Sequence, residues 1–152
     1  MSLRKKIDFI LGRLLIVILG VMVINVLWQV FSRYVLGNPS SFTDELARYL
    51  MIWLGIFGAA YVSGRNMHVA IDVLPNRFNR KAQRKIKFLV NIIIILASTT
   101  ILIIGGFRLV FVTYILEQSS PALEVPLALV YVALPLSGLL INYYKADDIL
   151  NR

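Results

Sequence analysis

The residue types that support acid–base, nucleophilic or metal chemistry are scarce in this sequence. It has no cysteine and a single histidine, which excludes disulfides, thiolate nucleophiles, cysteine-based metal sites and a bis-histidine haem within the chain. That histidine, His68, precedes Asp72 by four residues and would suit a proton relay. Because neither a nucleophile nor a second base accompanies the pair, we expect His68 and Asp72 to order their loop through a structural hydrogen bond. The sequence therefore predicts no catalytic, cofactor-binding or metal-binding residue.

The elements that hold these residues are typical of a membrane protein. Of the 152 residues, 59% are apolar and 16% charged, against about 25% charged in an average soluble domain. Four apolar segments, at 14–36, 46–63, 88–116 and 125–143, reach the roughly 20 residues that a spanning helix needs. We expect one all-α membrane domain over residues 1–152, with a third helix that is longer than the bilayer core and therefore tilted.

The basic residues indicate the orientation of these helices. The net charge is +8, but Lys and Arg flank the apolar segments, which favours a membrane protein over nucleic-acid binding. Most of them lie before the first segment, in the loop 64–87, or after the fourth segment. The positive-inside rule then places both termini in the cytoplasm. A basic row precedes the third segment, and we expect it to attract anionic lipid; its members are Arg80, Lys81, Arg84, Lys85 and Lys87.

A polar line runs along one face of the first segment. Asn25, Gln29 and Ser32 follow a helical spacing, and Arg33 lies four residues after Gln29. Polar side chains in a membrane seek protein or water rather than lipid. This face therefore contacts either another subunit or the other helices of the same chain, and the sequence leaves both open.

The second segment opens with acidic residues that suit the positive end of a helix. Ser41 or Thr43 can cap it, and Asp44 and Glu45 lie in its first turn. Arg48 follows them at a spacing that predicts a local ion pair with one of the two carboxylates.

Small residues continue along the same segment. Gly55, Ala59 and Ser63 are spaced by four residues, with Gly58 beside them, and this spacing permits the close approach of another helix. Trp53 is expected to pack there or to anchor the helix at the membrane interface.

Two residues in the later segments have structural consequences. Arg108 must extend towards water or find an acidic partner, for which Glu117 and Glu124 are candidates. Pro135 lies within the fourth segment and should kink it, which frees the carbonyl of Tyr131.

No Asp or Glu lies deep in any of the four segments. Carriers that couple transport to protons or cations usually need an intramembrane carboxylate or broken helices that line a cavity. The sequence therefore favours an accessory subunit. Two alternatives remain: a self-sufficient small four-helix exporter, which would need an acid in its first span, and a haem-less membrane anchor of a redox complex.

A series of short motifs lies between Arg33 and Leu140. They are Arg33-Tyr34, Gly37-Asn38-Pro39, Thr43 to Arg48, Trp53, Gly58-Ala59-Ala60, Arg65, His68 to Asp72, Ser120 to Leu123, Pro126, Tyr131 and Ala133-Leu134-Pro135. In this order and spacing the chain resembles the small membrane subunit of tripartite ATP-independent periplasmic (TRAP) transporters, the DctQ-like family.

The resemblance implies a non-catalytic scaffold subunit in a bacterial inner membrane. Its implied partners are a large multi-spanning subunit, which carries the solute and sodium sites, and a periplasmic binding protein that delivers an organic acid such as a dicarboxylate or a sialic acid. For contact with the large subunit we expect Asn25, Gln29 and Arg33. For organisation of the outer end we expect Asp44, Glu45, Arg48 and Trp53.

Overall fold

The chain is helical throughout its membrane segments. The structure is a computed structural model that describes residues 3–38, 40–65 and 80–150. Within these residues, four helical stretches are long and apolar enough to cross a membrane, which confirms the predicted all-α fold class. Some predicted site residues lie outside this description: His68 and Asp72 entirely, and the side chains of Arg80, Lys81 and Arg84.

The first two helices form an antiparallel hairpin. Helix α1 spans Leu3–Tyr34 and helix α2 spans Ser41–Gly64. Both begin earlier than the apolar segments, because the Lys, Arg and Glu residues that flank those segments are also good helix formers. The connection turns at Gly37, whose φ of +65° is a left-handed conformation that glycine adopts without steric cost.

The third span is one continuous helix with an irregular middle. Helix α3, Arg80–Ala97, passes into a π-helical segment, Ser98–Gly105, and then into α4, Gly106–Ile115. At the start of the π segment, the Thr100 hydroxyl donates to the carbonyls of Leu96 (2.8 Å) and Ala97 (3.3 Å). Such back-bonding competes with the regular helical hydrogen bonds. The apolar pattern of the third segment does not predict this π-helical stretch.

The fourth span is broken near its beginning. Helix α5 spans Leu127–Tyr131, and helix α6 spans Ala133–Leu150. The break at Val132 lies three residues before Pro135, whose ring and missing amide N–H disfavour a regular helix in the preceding turn. The kink expected from this proline stays a prediction. The loop 116–126 before α5 is closed by a hydrogen bond from the Leu127 amide to the Gln118 carbonyl at 2.9 Å.

The spans pack side by side in a row. Helix α1 packs along α2, α2 along α6, and α6 along the third span; among the described helices, α1 and the third span do not pack along each other. The fourth span, which contains α6, has a central position and is the more buried one. In its most apolar stretch 44% of the residues are buried, against 6% in that of the third span. The row therefore presents broad apolar surfaces that lipid or another protein must cover.

The helices approach most closely at glycines. A Cβ atom added at Gly138 would lie 2.8 Å from Cγ1 of Ile103, and one added at Gly106 would lie 2.9 Å from Cβ of Leu134. These distances are shorter than carbon–carbon contact, so only glycine fits where α6 meets the third span. The main apolar cluster lies nearer the termini and consists of Leu11, Phe57, Ala60, Ala133, Ile141 and Tyr144.

Candidate functional site

The end of the row that holds the two short loops is organised by Glu45. Its carboxylate accepts hydrogen bonds from the Ser120 hydroxyl and from the backbone amides of Ala122 (3.1 Å) and Leu123 (3.2 Å). Ser120 is buried. One side chain near the beginning of α2 therefore fixes the loop 116–126, which lies about 75 residues away in sequence.

The neighbouring carboxylate, Asp44, forms the predicted ion pair. Nη2 of Arg48 lies 2.6 Å from Oδ2 of Asp44, which confirms the local pair with Asp44 and not with Glu45. The Arg48 side chain is 72% exposed, so this pair contributes at most about 0.5 kcal/mol in an aqueous setting.

The expected cap of α2 by Ser41 or Thr43 is wrong. The helix begins at Ser41 and has Ser40 at the N-cap position, with no side-chain capping hydrogen bond. The Thr43 hydroxyl instead donates to the Ser40 carbonyl at 2.9 Å. The chain enters the helix one residue earlier than the capping pattern indicates.

The polar line of α1 faces α2. Nδ2 of Asn25, a buried residue, donates to the Thr43 carbonyl at 2.7 Å, and Nε2 of Gln29 donates to Oδ1 of Asp44 at 3.2 Å. This geometry favours packing within the chain, one of the two interpretations that the sequence left open. Arg33, by contrast, is exposed in the last turn of α1. Contact of these residues with a large subunit stays a prediction.

Trp53 lies inside the row. Its indole Nε1 donates to the carbonyl of Val130 at 3.0 Å, and its ring meets Phe57 edge-on at a centroid distance of 5.6 Å. Val130 is in the short helix α5, directly before the break in the fourth span. Trp53 therefore joins α2 to the broken span by packing and a hydrogen bond, the first of the two roles expected for it.

Of the small residues of α2 that the spacing singled out, Ser63 is buried against α6, whereas Gly55, Gly58 and Ala59 point away from the other helices. A Cβ atom added at Gly55 or Gly58 would meet no atom within 4 Å, and Ala59 is exposed. These residues therefore do not bring two helices of this chain together. Their role as a surface for a helix of another subunit stays a prediction.

Arg108 does not find the expected acidic partners. Its side chain is exposed, and within the described residues it forms no ion pair with Glu117 or Glu124. Arg108 lies seven residues, or about 10 Å, before the end of α4, whereas both glutamates lie in the following loop with positive φ angles of 48° and 53°. Of the two possibilities that the sequence left open, the structure therefore favours extension of the Arg108 side chain towards water.

The opposite end of the row, where α1 begins and α6 ends, holds charged contacts that sequence reasoning missed. Nη1 of Arg4 lies 2.7 Å from Oδ2 of Asp147 and 2.9 Å from Oδ1 of Asp148. Its other terminal nitrogen donates to the carbonyl of Gly64. One arginine thus joins the first turns of α1 to the ends of both α2 and α6.

Two further side chains complete this terminal cluster. Nζ of Lys145, which is 2% exposed, donates to the Ser63 carbonyl at 3.1 Å and lies 3.7 Å from Oδ2 of Asp148. The Tyr144 hydroxyl donates to Asp8 at 2.6 Å. The sequence does contain an indication of this cluster, since Lys145, Asp147 and Asp148 directly follow the fourth apolar segment. Charges at the end of a membrane segment are common, however, and do not by themselves indicate a buried cluster.

Polar side chains also join the third span to α6 in the middle of the row. The Ser98 hydroxyl donates to the side-chain oxygen of Asn142, and Nδ2 of Asn142 donates to the Thr99 hydroxyl at 2.8 Å. Such hydrogen bonds hold helices together in a membrane. Among the described residues, no group of three or more His, Cys, Asp or Glu side chains could hold a metal ion.

Taken with this geometry, comparison with known proteins identifies the family. The family described as tripartite ATP-independent periplasmic transporters, DctQ component, matches residues 22–152. A TRAP transporter small permease protein of Haemophilus influenzae is 33% identical over 141 residues, which is 93% of this chain and 86% of the relative.

Other relatives carry the names of solutes. The C4-dicarboxylate TRAP transporter small permease protein DctQ of Rhodobacter capsulatus is 35% identical over 66% of this chain and 44% of its own length. The sialic acid TRAP transporter small permease protein SiaQ of Vibrio cholerae is 26% identical over 68% of this chain and 60% of its own length. The matches thus span less than two thirds of these two relatives.

One match lies within a much longer protein. The sialic acid TRAP transporter permease protein SiaT of Haemophilus influenzae is 29% identical over 54% of this chain, but the matched segment is 13% of that relative. The family is a component of a transporter and not a catalytic enzyme. The chain therefore belongs to the DctQ family, the small permease component of tripartite ATP-independent periplasmic transporters.

Proposed function

We propose that this chain is a static scaffold on which a large permease subunit carries out solute uptake. The observation that carries the proposal is the row of spans, fixed at one end by Glu45 and at the other by Arg4, with apolar faces left outside. All the carboxylates of the described residues lie near helix ends or in the loop 116–126. Carriers that couple transport to a cation commonly hold it at an intramembrane carboxylate, and the described part of the spans has none near its middle.

The similarity to SiaT supports a direct association with a larger permease. A segment similar to this chain makes up a small part of that longer permease protein. We assign the contact to surfaces that the chain itself leaves open, namely the Gly55–Ala59 face of α2 and the exposed Arg33. A helix of the large subunit can approach closely at glycine and alanine.

The transport reaction proposed is sodium-driven uptake of an organic acid delivered by a periplasmic binding protein. The names of two relatives, which refer to C4-dicarboxylates and to sialic acid, support this class of solute. Sodium would bind to the large subunit. We further propose an inner-membrane location with both termini cytoplasmic and with Lys85 and Lys87, as part of the basic row 80–87, near anionic lipid.

The test is uptake by proteoliposomes under a sodium gradient, with the large permease and the binding protein present and this chain either present or omitted. We expect uptake of a C4-dicarboxylate or of sialic acid only when all three are present. Full uptake without this chain would refute its required role. Accumulation of solute by vesicles that contain this chain alone would refute the scaffold assignment.

The contact surface has its own test. Gly55→Leu should weaken co-purification of the large permease, because leucine would hold the two helices apart. Gly20→Leu is the matched control, since Gly20 also has no neighbour within 4 Å but lies on α1. Equal co-purification of wild type and Gly55→Leu would move the contact to another face.

A further inference from the structure

A groove of about 580 Å³ opens between α1 and α2 at the end of the row that holds the terminal cluster. Three basic residues line it: Lys5 and Arg13 from α1, and Arg65 directly after α2. All three are exposed. Within the part of the chain that the structure describes, none of them is ion-paired, so their charges are available to a ligand.

Aromatic rings hold the two arginines in place. Cζ of Arg13 lies 4.0 Å from the ring centroid of Phe9, and Cζ of Arg65 lies 4.7 Å from that of Tyr61. Each arginine follows its ring by four residues, which is the spacing of neighbours on one helical face. A guanidinium stacked on a ring keeps the N–H donors at its edge free. Both arginines are thus held in a fixed orientation, with guanidinium N–H groups that can donate hydrogen bonds to a ligand.

The electrostatics of the groove favour an anion. Among the described residues that line it, the one carboxylate is that of Asp8, which accepts a hydrogen bond from the Tyr144 hydroxyl at 2.6 Å. One negative charge therefore stands against three positive charges, and the groove carries a net positive charge. Guanidinium groups bind phosphate oxygens through paired hydrogen bonds.

The groove also has an apolar wall that leads into the membrane. Ile16 lines it one turn beyond Arg13, and both Ile16 and Phe9 are exposed. From residue 14 onwards α1 is apolar as far as Asn25, so Arg13 lies where the hydrocarbon region begins. A positively charged opening above an apolar wall matches a phosphate headgroup above an acyl chain.

We propose that this groove binds an anionic phospholipid, with its phosphate between Arg13 and Arg65 and an acyl chain along Ile16. Basic pockets between transmembrane helices are known to hold anionic headgroups. The site differs from the basic row 80–87 and does not rest on the proposed role in transport.

The test measures binding of phosphatidylglycerol to the full-length chain in mild detergent by native mass spectrometry. We expect saturable binding of one lipid, and on the order of tenfold weaker binding for Arg13→Gln/Arg65→Gln, from which two charges near the headgroup are lost. Arg108→Gln, which removes an exposed arginine near the other end, should bind as wild type. Circular dichroism would verify that the helical content of each variant is unchanged.

Three outcomes would overturn the proposal. The first is equal binding of phosphatidylglycerol by wild type and the double variant. The second is equal occupancy by phosphatidylcholine, whose headgroup has no net charge. The third is displacement of bound phosphatidylglycerol by inorganic phosphate, which would assign the groove to free phosphate. Because the readout is lipid occupancy, failure here would leave the uptake results unaffected.

Discussion

The contact between α6 and the third span predicts that Gly138→Ala destabilises the chain. The new Cβ atom would lie 2.8 Å from Cγ1 of Ile103 and 2.9 Å from Cβ of Leu102. Carbon atoms normally pack about 3.5–4.0 Å apart, so the two helices would have to separate by several tenths of an ångström or more. Side-chain rotation does not relieve this overlap, because the Ile103 amide nitrogen is a backbone atom and the Leu102 Cβ is bonded directly to the backbone.

The size of the effect follows from two opposing terms. Overpacking of this kind costs about 1–3 kcal/mol, while replacement of glycine by alanine within a helix contributes up to about 1 kcal/mol in favour of folding. We therefore expect a net loss of about 1–2 kcal/mol in the free energy of unfolding. For a chain of this size, that loss lowers Tm by several degrees.

Two glycines without neighbours supply the control. Gly20 and Gly55 have no atom within 4 Å of an added Cβ, so Gly20→Ala and Gly55→Ala should leave Tm unchanged or raise it slightly. Gly106→Ala should behave like Gly138→Ala, since its Cβ would lie 2.9 Å from Leu134. Thermal unfolding of the detergent-purified chain, followed by circular dichroism, measures all four. Equal Tm values for Gly138→Ala and Gly20→Ala would refute the close packing of these two spans.

Three further predictions concern the charged contacts. Glu45→Ala should accelerate hydrogen exchange in the loop 116–126, where the carboxylate now holds two amides, and unchanged exchange would contradict its organising role. Lys145→Met should lower the free energy of unfolding by about 1–3 kcal/mol, because the buried Asp148 loses one cationic neighbour while it keeps Arg4, and the Ser63 carbonyl loses a buried donor. In a double-mutant cycle, the loss for Lys145→Met combined with Asp148→Leu should be less than the sum of the two single losses. Arg48→Ala should change Tm by less than about 2 °C, because its ion pair is exposed.

Local features of this fold were predictable from the sequence, and contacts distant in sequence were not. The apolar segments predicted the four helices, and a spacing of four residues predicted the pair of Asp44 and Arg48. Each of these follows from residues within one or two helical turns. The partner of Glu45, in contrast, lies in a loop about 75 residues away, and no local spacing indicates it.

The choice among glycines shows the same limit. Gly55 and Gly58 have the spacing of a helix contact, yet they face outwards, while Gly106 and Gly138 lie where two spans meet. Spacing reports which small residues share a face of one helix, but which face is covered depends on the order of the helices in the row. The π segment was missed for a related reason, because only the structure shows which hydroxyls bond to preceding carbonyls.

The positions of the polar contacts allow folding and assembly to be tested separately. The contacts of Glu45, Asn142 and Arg4 all join separate elements of this chain, at the loop end, the middle and the terminal end of the row. The Gly55–Ala59 face of α2 takes part in none of them. Substitutions that remove the contacts of Glu45, Asn142 or Arg4 should therefore lower the Tm of the isolated chain and should reduce transport as well. Bulky substitutions on the α2 face should instead reduce assembly with the large permease while Tm stays the same. Loss of transport together with a lowered Tm for Gly55→Leu would show that this face is required for folding, and would remove it as the contact surface.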